Sequence, residues 1–371
     1  MSTIKNKNGI EIELKDTQIK TIEEFIKDAN LNMDEWEVLR YIANKWDVTM
    51  KINDVPVLKE NWQTKLILKK KLNIEDISKF KQDMLEEFKA LHTYQPKINS
   101  KTYIPETGNL MEIHIPDLHL GKVGMEDLAF NNKWSTLTAY KEFHKVIDYF
   151  INSTSAFPEK ILLVLGNDMF NANHSNPFPQ TINGTPQKED DYWPLIFRFG
   201  KHMIAEAVYK LYQFVPNIHI IMVPGNHDGD KIFYLGEILE ALFFGNENIT
   251  IDNSLNKRKY FRWGKNLLGF AHGNQKAEGL KRLPFLMQTE AIKDWSKTVI
   301  HEWHLGDIHH NKKIQFNVEE DIQGINIRYF RTLMVGDPWE HEKGYISAKG
   351  ADMLVWNKKY GKIQEITYNK I

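Results

Sequence analysis

The chain has 371 residues, 42% hydrophobic and 26% charged, with a formal net charge of -1. That balance belongs to an ordinary soluble globular protein and excludes a disordered, fibrous or globally basic chain. Zero cysteines exclude disulfides, thiolate zinc sites, iron–sulfur clusters and cysteine nucleophiles, so a metal must sit on His, Asp, Glu or Asn.

Residues 1–8 are polar, and no run approaches the ~18 consecutive apolar residues needed to span a bilayer. A cytoplasmic protein with no membrane partner is expected. Ile19, Ile22, Phe25, Ile26 and Ala29 recur at helical spacing, as do Trp36, Leu39, Ile42, Ala43 and Trp46, which predicts two short helices. β-like pieces over 48–52 and 64–68 flank the turn signal Asn53-Asp54. Ile74, Ile77, Phe80, Met84, Phe88 and Leu91 then mark a longer amphipathic helix. Helix, helix, hairpin is the order of a winged-helix module. Residues 1–93 are therefore read as a small α+β accessory domain, 94–108 as a linker and 109–371 as the main domain. Lys65, Lys69, Lys70 and Lys71 suit either a wing touching phosphates or a Lys-rich edge strand that discourages pairing.

In the main domain five apolar runs stop at a turn and present ligand-type side chains. Residues 111–115 lead to Asp117 and His119, which are two apart and so share one side of an extended chain. Residues 161–165 form a continuous apolar strand of the kind buried on both faces, ending in Gly166-Asn167-Asp168. Asp168 there can bridge two cations through its two oxygens, or simply cap a helix. Ile218–Val223 ends at Pro224-Gly225-Asn226-His227-Asp228, Asn266–Ala271 at His272-Gly273, and residues 303–305 at Gly306-Asp307-Ile308-His309. His114 and His219 lie within strands and are read as satisfied core residues.

The order D-x-H, acidic turn, G-N-H-D, His, G-D-x-H resembles the calcineurin-like metallophosphoesterase family from about residue 111 to the C-terminus. The layout looks like phage and bacterial members with a small N-terminal domain, leaning toward the repair-exonuclease branch. The resemblance implies an α/β fold, a four-layer sandwich of two mixed β-sheets flanked by helices. It implies two divalent metal ions, Mn²⁺ foremost, with Mg²⁺, Fe²⁺ or Zn²⁺ as other occupants. Asp117, His119, Asp168 and His309 would hold one ion, and Asp168 would bridge to a second held by Asn226, His272 and Asp307. His227 would be the general acid, its ring oriented by Asp228.

Two departures stand out. Gly166-Asn167-Asp168 carries one residue more than the family's Gly-Asp, and the spacing Asp168-x-x-Asn171 favours Asp168 over Asn167 as the bridge. Asp307 replaces a family His, which adds negative charge and favours harder ions.

The implied reaction is phosphodiester hydrolysis by a hydroxide bridging two ions, with DNA or RNA as the expected substrate. Phosphomonoesterases and small-nucleotide phosphodiesterases use the same ligands. A reading of another class is a scaffold or nucleic-acid-binding protein built on a decayed site. The loop over 173–186, rich in Pro, Asn and Gly, follows Asp168 closely, which makes Asn171 and His174 candidate substrate contacts. Residues 192–212 read as a core helix, 324–330 and 351–356 as closing strands, and 336–341 as a rim loop.

Overall fold

A computed structural model describes residues 2–6, 9–16, 21–34, 36–52, 55–70, 106–123, 134–175, 178–273, 277–306, 319–322, 324–334 and 349–370. The chain divides into two compact units, Met1–Lys97 and Ile98–Ile371. No helix among the described residues is long and apolar enough to cross a membrane.

The first unit holds a four-stranded antiparallel sheet, β1 (Ser2–Asn6), β2 (Gly9–Asp16), β3 (Trp36–Ile52) and β4 (Val55–Lys70), in the order β1-β2-β4-β3. One helix, α1 (Ile22–Asp28), starts at a capping box in which Thr21 and Glu24 satisfy each other's backbone N–H groups. It buries Phe25 on Leu66 and Leu68 of β4, with Trp36, Val38 and Tyr41 packed alongside.

The helix expected over residues 36–46 is therefore a strand. Its register breaks between Val38 and Arg40, and this β-bulge turns a spacing of two into a spacing of three between Val38 and Tyr41. Of the residues whose spacing suggested a helix, Trp36 and Ala43 share the face of Leu66 and Leu68 while Ile42 and Trp46 lie on the other, so the helical stripe is split between the two faces of a strand. The helix-helix-hairpin order of a winged helix is not found among the described residues, and the helix expected over 74–91 lies outside them. β4 is an interior strand, so Lys65 sits mid-sheet and not on an edge.

The second unit is built on two mixed sheets. The six-stranded sheet runs β15-β14-β5-β6-β7-β8: β5 (Asn109–His114), β6 (Lys160–Gly166), β7 (Ile218–Val223) and β8 (Ile249–Asp252) are parallel, while β14 (Gly350–Asn357) and β15 (Gly361–Asn369) close it antiparallel. The five-stranded sheet runs β12-β13-β11-β10-β9. Its centre, β10 (Asn266–Ala271), β11 (Ile300–Leu305) and β13 (Ile325–Tyr329), is parallel, and β9 (Lys259–Trp263) and β12 (Glu319–Ile322) are antiparallel edges.

Alternation along the strands divides the apolar residues into layers. Leu162, Val164 and Ile221 of one sheet share a cluster with Leu268 and Phe270 of the other. The opposite face of the six-stranded sheet is covered by α2 (Thr136–Ser153), α3 (Trp193–Phe214) and α4 (Gly229–Leu242), through residues such as Phe143, Ile204 and Leu235. Met287 and Leu283 of α6 (Leu283–Glu290), which follows the short α5 (Ala277–Leu280) and precedes α7 (Ile292–Trp295), cover the outer face of the other sheet.

Charges also cross the apolar layer between the sheets. His304 on β11 is fully buried, with Nδ1 2.6 Å from Glu112 Oε1 on β5 and Nε2 3.2 Å from Glu302 Oε1. Arg328 on β13 donates to Glu302 and, through both terminal nitrogens, to Glu365 on β15. Trp356 Nε1 donates to the other oxygen of Glu112 at 2.9 Å. Burial disfavours an imidazolium, but Glu112 and Glu302 outweigh it and raise His304 to about 9.

Candidate metal centre

Five strands, β5, β6, β7, β10 and β11, end on one side of the second unit, and the turns beyond them converge. The backbone fixes the convergence: Asp117 N–H donates to Asn167 O at 2.7 Å, His119 N–H to Asp168 O at 3.0 Å, and Asn167 N–H to Val223 O at 2.7 Å. Gly306 N–H, at the end of β11, donates to His272 O at 3.0 Å. The turns after β5, β6 and β7, and those after β10 and β11, are thereby held in register past the point where regular pairing stops.

Asp117, His119 and Asp168 are 1% exposed, and one ligand atom from each lies within 4.8 Å of the others, a group able to hold a metal ion. Asp168 is the hub. Its Oδ1 accepts from His227 N–H at 2.7 Å, and its Oδ2 lies 3.1 Å from His272 Nε2. The same His272 nitrogen lies 2.8 Å from Asn226 Oδ1. Burial opposes the charge on Asp168, yet His272 and His227 hold its carboxyl below the usual range.

The backbone is strained at this place. Among the described residues, left-handed φ values outside glycine occur at Asn30 and at four site positions, Asp117 (52°), His119 (45°), Asn167 (49°) and Asp168 (64°). Each costs on the order of 1–3 kcal/mol and persists only where the surroundings over-determine it. Four together in one pocket of buried carboxylates and imidazoles mark a functional constraint. The donor set, hard carboxylate and amide oxygens with borderline imidazoles, fits a divalent first-row cation or Mg²⁺.

No protein-family model matches this chain, and no curated protein does. Among solved structures, one match is a conserved uncharacterized protein from Streptococcus pneumoniae TIGR4, described as a predicted phosphoesterase. It shares 9% identity and covers 71% of this chain and 98% of its own, with a TM-score of 0.29. What the site can do is therefore read from its own residues.

His227 sits beside the group, its ring perpendicular to that of His119 with centroids 4.6 Å apart. Its Nδ1 is 2.7 Å from the carbonyl oxygen of Asn171, which can only accept, so Nδ1 carries a proton and Nε2 is the exchangeable position. Burial pushes this imidazole below its ordinary value, with Asp168 pulling the other way.

The role expected of Asp228 needs correction. Its carboxylate accepts from Gly225 N–H at 3.0 Å and Phe170 N–H at 3.3 Å, so it ties the β7 turn to the β6 turn and does not orient His227. Burial and the Asp168 charge push it up to about 7. Asn171 is likewise corrected. Its side-chain amide donates to Lys188 O at 3.0 Å, so its main-chain carbonyl is what it contributes beside His227.

His174 lies farther out, 3.6 Å from Asp230 Oδ2 and 47% exposed, on the loop whose Ile182 N–H donates to Asn226 O. His114 is buried with Nε2 2.7 Å from Asn167 Nδ2, which turns Asn167 away from the Asp168 carboxylate and toward the core. His219 stacks on Phe261 and meets Thr250. Asp307 and His309 lie outside the described residues, as does the loop over 336–341. The chain leading to them reaches the site, because a Cβ on Gly306 would be 2.9 Å from Asp117 Oδ2.

Gly225 is required for a related reason. A Cβ there would fall 1.9 Å from Asp168 Oδ1 and 2.6 Å from its backbone nitrogen. Gly225→Ala is expected to displace the hub carboxylate and weaken Mn²⁺ binding at least tenfold, as measured by calorimetric titration. Unchanged affinity would show that the carboxylate position does not matter for metal.

Proposed function

We propose that this protein is a metal-dependent phosphodiesterase of the calcineurin-like type, with the four-layer sandwich of that class, and that it acts as a nuclease on DNA or RNA. The observation that carries the reading is the gathering of Asp117, His119, Asp168, Asn226 and His272 from four separate strand ends around one buried carboxylate. Asp117, His119 and Asp168, completed by His309, would hold one divalent ion. Asn226 and His272, completed by Asp307 and bridged by Asp168, would hold a second.

Divalent ions held there supply positive charge to the phosphoryl oxygens and lower the pKa of a bound water. The chain's own residues do the rest. Asp168 keeps its charge because His272 and His227 face it. His227 moves a proton at Nε2, toward the oxygen that leaves phosphorus, while the Asn171 carbonyl fixes the ring through Nδ1. Asp228 keeps the Gly225 and Phe170 turns together so that Asp168 and His227 stay adjacent. The first unit is proposed to bring the nucleic acid, with Lys65 of its sheet among the contacts.

With Mn²⁺ supplied, the protein is expected to hydrolyse bis-p-nitrophenyl phosphate and labelled DNA faster than p-nitrophenyl phosphate. No turnover of any of these with Mn²⁺, Mg²⁺, Fe²⁺ or Zn²⁺ would sink the proposal. His227→Ala is expected to keep its metal and lose ~10²–10⁴ in turnover. Loss of metal in that variant would instead make His227 a ligand.

A further inference from the structure

Next to the Asn226–His272 side of the centre lies a cleft of about 600 Å³, within the size range that encloses one small organic ligand. It is bounded by the start of α4, by the loop between β8 and β9, and by Ile182 and Asn183.

The walls are preformed. Asn253 Nδ2 donates to Phe233 O and Glu237 Oε1 of α4, and a Cβ on Gly236 would come within 2.1 Å of Asn253 Oδ1, so loop and helix are in direct contact. At the loop's other end the buried Lys259 Nζ donates to Asp252 and Ser254. What these anchors present to the cleft has a definite chemistry. Tyr234, 57% exposed, and Leu255, 84% exposed, are apolar surface left in water. Arg258 is neutralised by a bidentate pair with Glu290. Lys257 is exposed and makes no ion pair among the described residues. The carboxylate of Asp230, held by Asn173, also lines the cleft.

We infer that this cleft is a subsite for one nucleotide unit of a single-stranded nucleic acid, with Tyr234 stacking on its base and Lys257 meeting the phosphate next to the scissile one. This deepens the phosphodiesterase reading and rests on it for the position of the scissile phosphate, beside Asn226 and His272. An exposed aromatic ring offers a face that any base can stack on, and a base inside a duplex already has both faces covered by its neighbours. A phosphomonoester without a base uses none of this surface.

The test is binding of fluorescein-labelled hexathymidylate to the full chain in EDTA, compared with an abasic oligomer of the same length and charge. Wild type is expected to bind the thymidylate about tenfold more tightly than the abasic strand. Tyr234→Ala should erase that preference and Tyr234→Phe, which keeps the ring, should restore it. Lys257→Ala should weaken both strands alike and lower the salt slope by about 1. Equal binding of the two strands by wild type, or an unchanged preference in Tyr234→Ala, would overturn the subsite. Turnover of methyl p-nitrophenyl phosphate by the Mn²⁺-loaded wild type is read separately. Its absence would overturn the hydrolase reading while the binding series still decides the cleft.

Discussion

Asp168→Ala is expected to strip the protein of bound Mn²⁺ and to abolish phosphodiester hydrolysis. The loss should exceed the ~10–100-fold that removing a residue behind a metal ligand costs. The size follows from position. Asp168 belongs to the buried carboxylate–imidazole group with Asp117 and His119, and it also touches His272 and the backbone of His227. Truncation removes a ligand from both proposed ions and leaves the His227 N–H buried without its acceptor, so His227 loses its place as well. Asp168→Asn keeps the shape and the N–H acceptor but removes the charge. It should fold like wild type and still fail to hold metal. Elemental analysis of the purified variants, beside turnover with added Mn²⁺, separates the two effects. Retention of two equivalents of metal by Asp168→Asn would refute the bridging role.

The second large effect is on stability and its dependence on pH. His304→Gln leaves Glu112 buried with no cation beside it among the described residues and Glu302 with Arg328 as its remaining cation, and breaking a buried charge pair in this way costs about 3–5 kcal/mol. His304 is raised from 6.5 unfolded to about 9 folded, so its contribution is complete below pH ~6.5 and disappears as pH rises through about 9. Glu302 runs the opposite way. Burial raises it, but His304 and its neighbours outweigh burial and bring it from 4.5 to about 2. Its contribution is complete above pH ~4.5 and is lost as pH falls through about 2. The network therefore stabilises most between about pH 4.5 and 6.5. Urea denaturation of wild type and His304→Gln should show a wide gap at pH 6 that narrows by pH 9.5. A gap independent of pH would mean that His304 is neutral in the folded protein.

The candidate centre was legible wherever its signal is local. An apolar run that stops at Gly or Pro and then offers Asp, His or Asn states both a buried strand and what stands at its end, and Asp117, His119, Asp168, Asn226 and His272 were all found that way. The helix over 192–212 and the strands near 325 and 351 have the same local character. Residues 36–46 misled because their apolar residues stand at helical intervals while lying on both faces of a strand, and only the pairing with β4 reveals this. Asp228 misled for a different reason. The family resemblance implied that it orients His227, whereas the orienting group is the main-chain oxygen of Asn171, 56 positions away, and a backbone carbonyl has no letter of its own.

By itself the sequence singled out side chains of a type that can hold a metal and the strand ends at which they stand, because both follow from residue type and short-range periodicity. The tertiary structure alone decided that Asp168 is the hub, that Asn167 turns to His114, and that a charged histidine lies between the sheets. Those outcomes depend on which strand lies beside which and on what burial does to a charge. Neither is written in the spacing of residues along one segment.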